Sequence, residues 1–194
     1  MCYTRHMVIH NGKKPSIDEL TRLAKEAGFT YAAPLAMDSL VFRSEVREMC
    51  ESGRCRSYGK SWSCPPAVGS LEVIAKRAAG FENGIIVQTS GSIDELAELM
   101  KDHKRHFDTL VRQIKSFCPD CLPMGAGACT RCRVCTYPDR PCRHPDRMYP
   151  SMEAYGLLVN DVATKSGLRY NYGGNTMTYT SCVLIERKGE TYDR

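Results

Sequence analysis

The sequence predicts an α/β fold: one layered domain over residues 1–194, its sheet expected to be mixed and flanked by helices, with two cysteine-rich metal-binding loops attached. Three observations predict it. Apolar stripes at helical spacing alternate along the chain with short runs of β-branched and aromatic residues. The 194 residues suffice for a real core, since chains of this size bury roughly 70% of their extended surface unaided. Two insertions without periodicity, at about 50–66 and 118–147, hold nine of the eleven cysteines.

The helices carry start and stop signals. "SIDEL" occurs at 16–20 and again at 92–96, each time with Ser followed three residues later by Glu, the capping-box pattern. The first helix is expected to run to about Ala27 and stop at Gly28. A helix over "SLEVIAKRAAG" starts at Ser70 and ends at Gly80. In the long helix from Ser92, residues Leu96, Met100, His103, Phe107, Leu110 and Ile114 form one apolar stripe to about Lys115. His103 on that stripe reads as a satisfied core residue, with His106 beside it. A last helix is expected over "SMEAYGLLVNDVATKSG", from Ser151 to Gly167, with Tyr155, Leu158, Val159 and Val162 inward.

Strands fill the gaps: "FTYAAPLA", "NGIIVQTS" and "CLPMGAGA" follow three of the helices. The tail "LRYNYGGNTMTYTSCVLIE" reads as two strands joined through Gly173 and Gly174.

Composition narrows the function classes. At 42% hydrophobic and 25% charged the chain is ordinary for a globular protein. No apolar run approaches the roughly 20 residues that span a bilayer, and "MCYTRHMVIHNGKKPS" has no signal-peptide apolar stretch. A cytoplasmic setting is expected, where clustered thiols stay reduced and bind metal or do redox work. The odd cysteine count argues against a complete disulfide framework.

The net charge of +5 invites a nucleic-acid reading, but the positives sit beside the cysteines: Arg131, Arg133, Arg140, Arg143 and Arg147 in one cluster, Arg54, Arg56 and Lys60 in the other. They read as counter-charge for buried anions, because a 4Fe–4S core in its 2+ state held by four thiolates carries −2. No nucleic-acid partner is expected. The sequence contains no G-x-G-x-x-G, no P-loop, no H-E-x-x-H and no C-x3-C-x2-C of radical enzymes.

In "GACTRCRVCTYPDRPCRHP", Cys129, Cys132, Cys135 and Cys142 lie within fourteen residues, three of them at a strict interval of three. A structural zinc site usually takes two separated pairs of ligands, which a continuous C-x2-C-x2-C fits poorly. A cubane has separate iron corners, and a chain turning past it offers a thiolate every third residue, as in bacterial ferredoxins. The fourth cysteine departs from ferredoxin spacing, so Cys142 serves either the same cluster or another.

The earlier segment, "CESGRCRSYGKSWSCPPAVG", supplies Cys50, Cys55 and Cys64 followed by two prolines, and reads as a second metal site with three local thiols. Its fourth ligand comes from elsewhere, or one iron stays open. Tyr58 and Trp62 read as shields against water. "CPDC" at 118–121 is left open between ligation, a dithiol and a helix end. Cys182 reads as a small buried hydrophobe, Cys2 as a free thiol, and Glu153 and Tyr155 as candidates to face the cluster loop.

With "CRSYGKSWSCPP" and "GACTRCRVCTYPDRPCRHPDRMYPSMEAYG" together, the chain resembles the family of small cysteine-rich "predicted metal-binding proteins" of unknown function from anaerobic bacteria and archaea. The resemblance spans roughly 29–162. It implies metal binding through Cys50, Cys55, Cys64, Cys129, Cys132, Cys135 and Cys142, and an anaerobic setting, in places alongside corrinoid-dependent methyl transfer. It implies no reaction. "CPDC" lies outside the shared pattern.

The expected function is a cytoplasmic protein holding one or two 4Fe–4S clusters and passing electrons to a redox partner protein. An iron–sulfur enzyme with an open iron at the three-cysteine site, and a structural zinc module, are the alternatives.

Overall fold

The computed structural model describes residues 15–53 and 55–187. Cys2 and Arg54 lie outside the described residues. Within them the chain forms α1 (Ile17–Glu26), β1 (Tyr31–Pro34), α2 (Ser44–Glu51), α3 (Leu71–Ala78), β2 (Phe81–Ser92), α4 (Leu96–Lys115), β3 (Leu122–Met124), α5 (Val159–Lys165) and β4 (Thr176–Arg187).

The four strands make one sheet in the order β1-β2-β4-β3. Its spine is the pairing of β2 with β4, in register from Phe81 opposite Arg187 to Ser92 opposite Thr176. Both faces of this sheet are covered. Ile85, Val87, Val183 and Ile185 pack under α1 and α4 with Leu20, Phe107, Leu110 and Ile114. The alternate residues Ile86, Cys182 and Leu184, with Leu122 and Met124 of β3, pack on the other face against α3 and α5. A strand buried on both faces needs apolar residues at every position, which explains the unbroken "IIV" and "CVLI". Each such side chain taken fully out of water stabilises the fold by about 1.5–3 kcal/mol.

The α/β class is as the sequence predicts, but every strand pairing among the described residues is antiparallel, not mixed. Helices alternating with strands suggest parallel crossovers. Connections as long as the one from β3 to β4, however, return the chain to either end of a sheet and fix no direction.

The first capping box is present: Ser16 Oγ accepts the Glu19 N–H at 3.2 Å and the Glu19 carboxylate accepts the Ser16 N–H at 2.7 Å. At the second "SIDEL" the Ser92 hydroxyl accepts from Asp94 instead, a short 3₁₀ turn follows, and the helix starts at Leu96. Gly28 ends the first helical segment at φ 108°, where a Cβ would lie 2.6 Å from the His106 ring.

Three further expectations are corrected. The helix expected from Ser151 begins only at Val159. Residues 151–157 form tight turns because Gly156 sits at φ 79°, with the Arg43 carbonyl 2.8 Å from where its Cβ would be. Residues 168–172 are not a strand, and the tail contributes β4 alone. The segment around Cys50, expected to be irregular, starts as the eight-residue helix α2.

Candidate metal centre

The two cysteine-rich segments, far apart in sequence, meet in space. Cys50 stands on the last turn of α2, within hydrogen-bonding reach of the Cys55 thiol. Its thiol is pushed up by burial first, then by the charges of Cys55, Glu153 and Cys64. Cys64 is buried, which raises its thiol pKa, while the Ser63 and Ser61 hydroxyls work the other way. Ser63 Oγ lies 3.7 Å from Cys64 Sγ.

The second segment folds as a coil of turns. Cys129, Cys132, Cys135 and Cys142 line one small cavity together with Ser61, Trp62, Thr136 and His144. Burial raises the Cys135 thiol, but backbone N–H groups of Tyr137, Trp62 and Thr136 and the Ser61 hydroxyl outweigh it, so its pKa falls below the ordinary value. Cys142 Sγ accepts the His144 N–H at 3.4 Å. Donors aimed at sulfur favour a thiolate and tune a metal bound to it.

Further contacts join the segments. The Cys129 N–H donates to Ser63 Oγ at 3.0 Å. Trp62 Nε1–H donates to the Arg140 carbonyl at 3.0 Å, and its ring stands edge-on to Tyr137 with centroids 5.0 Å apart. Cys64 and Cys129 are near enough to feel each other's charge. The site therefore brings together Cys50, Cys55 and Cys64 as one set and Cys129, Cys132, Cys135 and Cys142 as another, with Cys129 at the seam. Glu153, a candidate to lie near the cluster loop, is exposed but bears electrostatically on Cys50.

Three of the arginines read as counter-charge serve otherwise. Arg131 and Arg147 both bind Asp108 of α4, whose carboxylate also accepts the Tyr149 hydroxyl at 3.3 Å. Arg143 donates to the Val134 carbonyl at 3.1 Å. Two cations not singled out in the sequence lie beside the thiols instead. Lys104 of α4, half-buried, faces Cys129 and Cys64. Arg47 of α2 faces Cys50, and its Nη2 is buried with no hydrogen-bond partner among the described residues. Neither forms an ion pair with a carboxylate among the described residues. Arg47 lies one helical turn before Cys50, which is the only signal the sequence offered.

The other cysteines stand apart. Cys118 and Cys121 are buried in the core under α1 and α4, the Cys121 thiol pushed up to about 12 mainly by burial. Cys182 is fully buried at the sheet centre, its thiol also pushed up to about 12 by burial. His103 is a core residue, its ring nitrogens 2.9 Å from Thr89 Oγ1 and 2.8 Å from Ser181 Oγ.

The donor chemistry suits an anionic metal–thiolate centre: seven thiols, sulfur-directed N–H groups, and an orphaned guanidinium Nη2 beside Cys50. The spacing is less closed. Among the described residues no three His, Cys, Asp or Glu side chains form a ready-made site for a metal ion, and the cavity between the four thiols measures about 20 Å³, room for one water. A cubane would have to spread the 129–142 loop. A family model described as "Predicted metal-binding protein (DUF2284)" matches residues 33–185. The chain belongs to that family. The matched stretch contains all seven thiols of both sets, as well as Arg47 and Lys104. No curated protein and no solved structure matches the chain. No helix among the described residues is long and apolar enough to cross a membrane.

Proposed function

We propose that this family member holds a 4Fe–4S cluster on Cys129, Cys132, Cys135 and Cys142, and a second iron–sulfur centre on Cys50, Cys55 and Cys64, and that it passes single electrons to a partner protein in the cytoplasm. The observation that carries the reading is that four thiols spaced C-x2-C-x2-C-x6-C line one cavity, two of them already accepting backbone N–H groups. A single zinc ion needs four donors meeting at one point. A cubane takes thiolates at separate corners, which a continuous C-x2-C-x2-C run can offer. When bound, such a cluster supplies one-electron chemistry, with its potential set by charge, burial and hydrogen bonds to sulfur. The chain supplies the last of these through the Cys135 and Cys142 donors, and positive charge through Lys104 and Arg47. The outer face of the loop exposes Arg133, Val134 and Arg143, a basic rim around an apolar point suited to an acidic partner.

A second reading, an enzyme with one open iron, is favoured by the three-thiol count of the first set. Cyanide or a small thiol should then change the visible spectrum.

The test is the iron, zinc and acid-labile sulfide content of anaerobically purified protein. About eight irons and eight sulfides per chain support two cubanes, and about four of each confine the cluster to one set. Stoichiometric zinc without sulfide overturns the iron–sulfur reading.

A further inference from the structure

A cavity of about 330 Å³ lies between α4 and the segment 125–131, with Cys129 in its wall. Cys129 and Arg131 line both this cavity and the thiol cavity, so the two spaces share a wall. Its volume sits at the low end of ligand pockets, roughly 300–1,000 Å³, which suits a compact molecule rather than a dinucleotide.

The lining sets the charge of that molecule. Four cations, Lys104, Arg105, Arg131 and Arg147, line the cavity with one carboxylate, Asp108, and Arg105 is paired with Asp102 at 2.8 Å. Asp108 is saturated, because Arg131, Arg147 and Tyr149 all bind it. Lys104 is anchored but not neutralised. Its Nζ donates to the Ala128 carbonyl at 2.6 Å and more weakly to Thr130 Oγ1 at 3.4 Å, which leaves one ammonium proton. The backbone adds donors, since the N–H groups of Ala126, Gly127 and Ala128 have no hydrogen-bond partner among the described residues. A half-buried ammonium with a free proton, beside a loop that can add backbone donors, favours an anion. The rings of Phe107 and Tyr149 also line the cavity.

We propose that this cavity binds a small organic anion, its acid group held by Lys104 and the amides of residues 126–128, its body against Phe107 and Tyr149, one end at Cys129. The assignment needs no particular metal on the thiols. The alternative role for Lys104, as a partner of the thiolates at Cys64 and Cys129 alone, requires neither the cavity nor the amides.

The test is calorimetric titration of the full-length protein as purified anaerobically, with three probes: benzoate, its neutral counterpart benzamide, and inorganic phosphate. Benzoate is expected to bind saturably and benzamide at least about tenfold more weakly, the scale of one charge-assisted hydrogen bond. Phosphate should compete as the acid group alone. Lys104→Gln should lose at least about tenfold in benzoate affinity, and Ala128→Leu, which fills the cavity without removing a charge, should abolish binding with metal content unchanged. No saturable benzoate binding, or equal binding of benzoate and benzamide, overturns the proposal. So does a Lys104→Gln protein that sheds metal while Ala128→Leu binds benzoate normally, since that assigns Lys104 to the thiols.

Discussion

Trp62 donates its indole N–H to the backbone carbonyl of Arg140, 78 residues further along the chain, at 3.0 Å. With the Tyr137 ring edge-on to it, the indole clamps the first cysteine segment onto the second. Trp62→Phe keeps a ring against Tyr137 and loses only the hydrogen bond, an expected cost of about 1 kcal/mol. Trp62→Ala removes both contacts from a half-buried site, and about 2 kcal/mol is expected. In a chain of this length each kcal/mol lowers the melting temperature by about 2–4 °C. The same series should lose metal to a chelator in the order Ala, Phe, wild type. Equal melting and equal metal loss across the series would mean that the indole clamps nothing.

Asp108 is the acceptor that gathers Arg131, Arg147 and Tyr149 between α4 and the cysteine loop. Burial works against its charge, but the hydrogen bond from Arg147 and the charges of Arg131 and Arg147 together outweigh it and hold the carboxyl below the usual range. A depressed carboxyl stabilises the fold fully above its unfolded value near about pH 4 and loses that contribution as pH falls toward the folded value. Asp108→Asn should cost about 2 kcal/mol at neutral pH, below the figure for a fully buried pair because Arg147 is half exposed. The variant and the wild type should converge in stability as pH falls below the usual carboxylate range and through the folded value. An unchanged gap at acid pH would place the stabilisation in packing, not charge.

His103 predicts a second pH dependence, in a milder range. Its ring is buried and neutral, with the pKa lowered from 6.5 to about 3, chiefly by burial and then by the charges of His106 and Lys104. Below pH 6.5 the unfolded chain takes up a proton that the folded ring refuses, so stability is full above that pH and falls below it by up to about 1.4 kcal/mol per pH unit. His103→Asn should be less stable at neutral pH but flatter with pH between about 6 and 4, by one proton's worth of slope. Parallel urea midpoints for the two proteins across that interval would show that His103 is not the titrating group.

What the sequence disclosed was what is periodic or spaced along it. The stripe from Leu96 to Ile114 is a property of one helix, and it reads correctly because helical period and burial coincide there. The apolar runs of β2 and β4 read as strands for the same reason. Strand direction was not legible, because long connections leave it free. The turns at 151–157 were misread because Ser151 caps locally, its Oγ accepting the Ala154 N–H at 3.1 Å, while Gly156 leaves the helical region at φ 79°. The cysteine spacing disclosed both sets of thiols but not their charge partners. Arginines adjacent in sequence to the thiols turn to Asp108 instead, while Lys104 and Arg47 reach the thiols from helices.

The ten described cysteines divide by environment, and the division can be measured one thiol at a time. Cys118, Cys121 and Cys182 are core residues, so their alanine variants should keep the full metal content and cost about 1 kcal/mol each for the lost sulfur. Serine at Cys132, Cys135 or Cys142 should remove the metal of the second set and leave that of the first. Serine at Cys50 or Cys55 should do the reverse. Cys129 differs because its thiol lines the cavity of the second set and also bears on Cys64 of the first. Cys129→Ser should therefore lower metal content more than any other single serine, by drawing on both sets. If it loses no more than Cys132→Ser does, the two sets are electrostatic neighbours that share no ligand. Metal lost from the Cys118→Ala protein would place a ligand in the core under α4 and redraw the site.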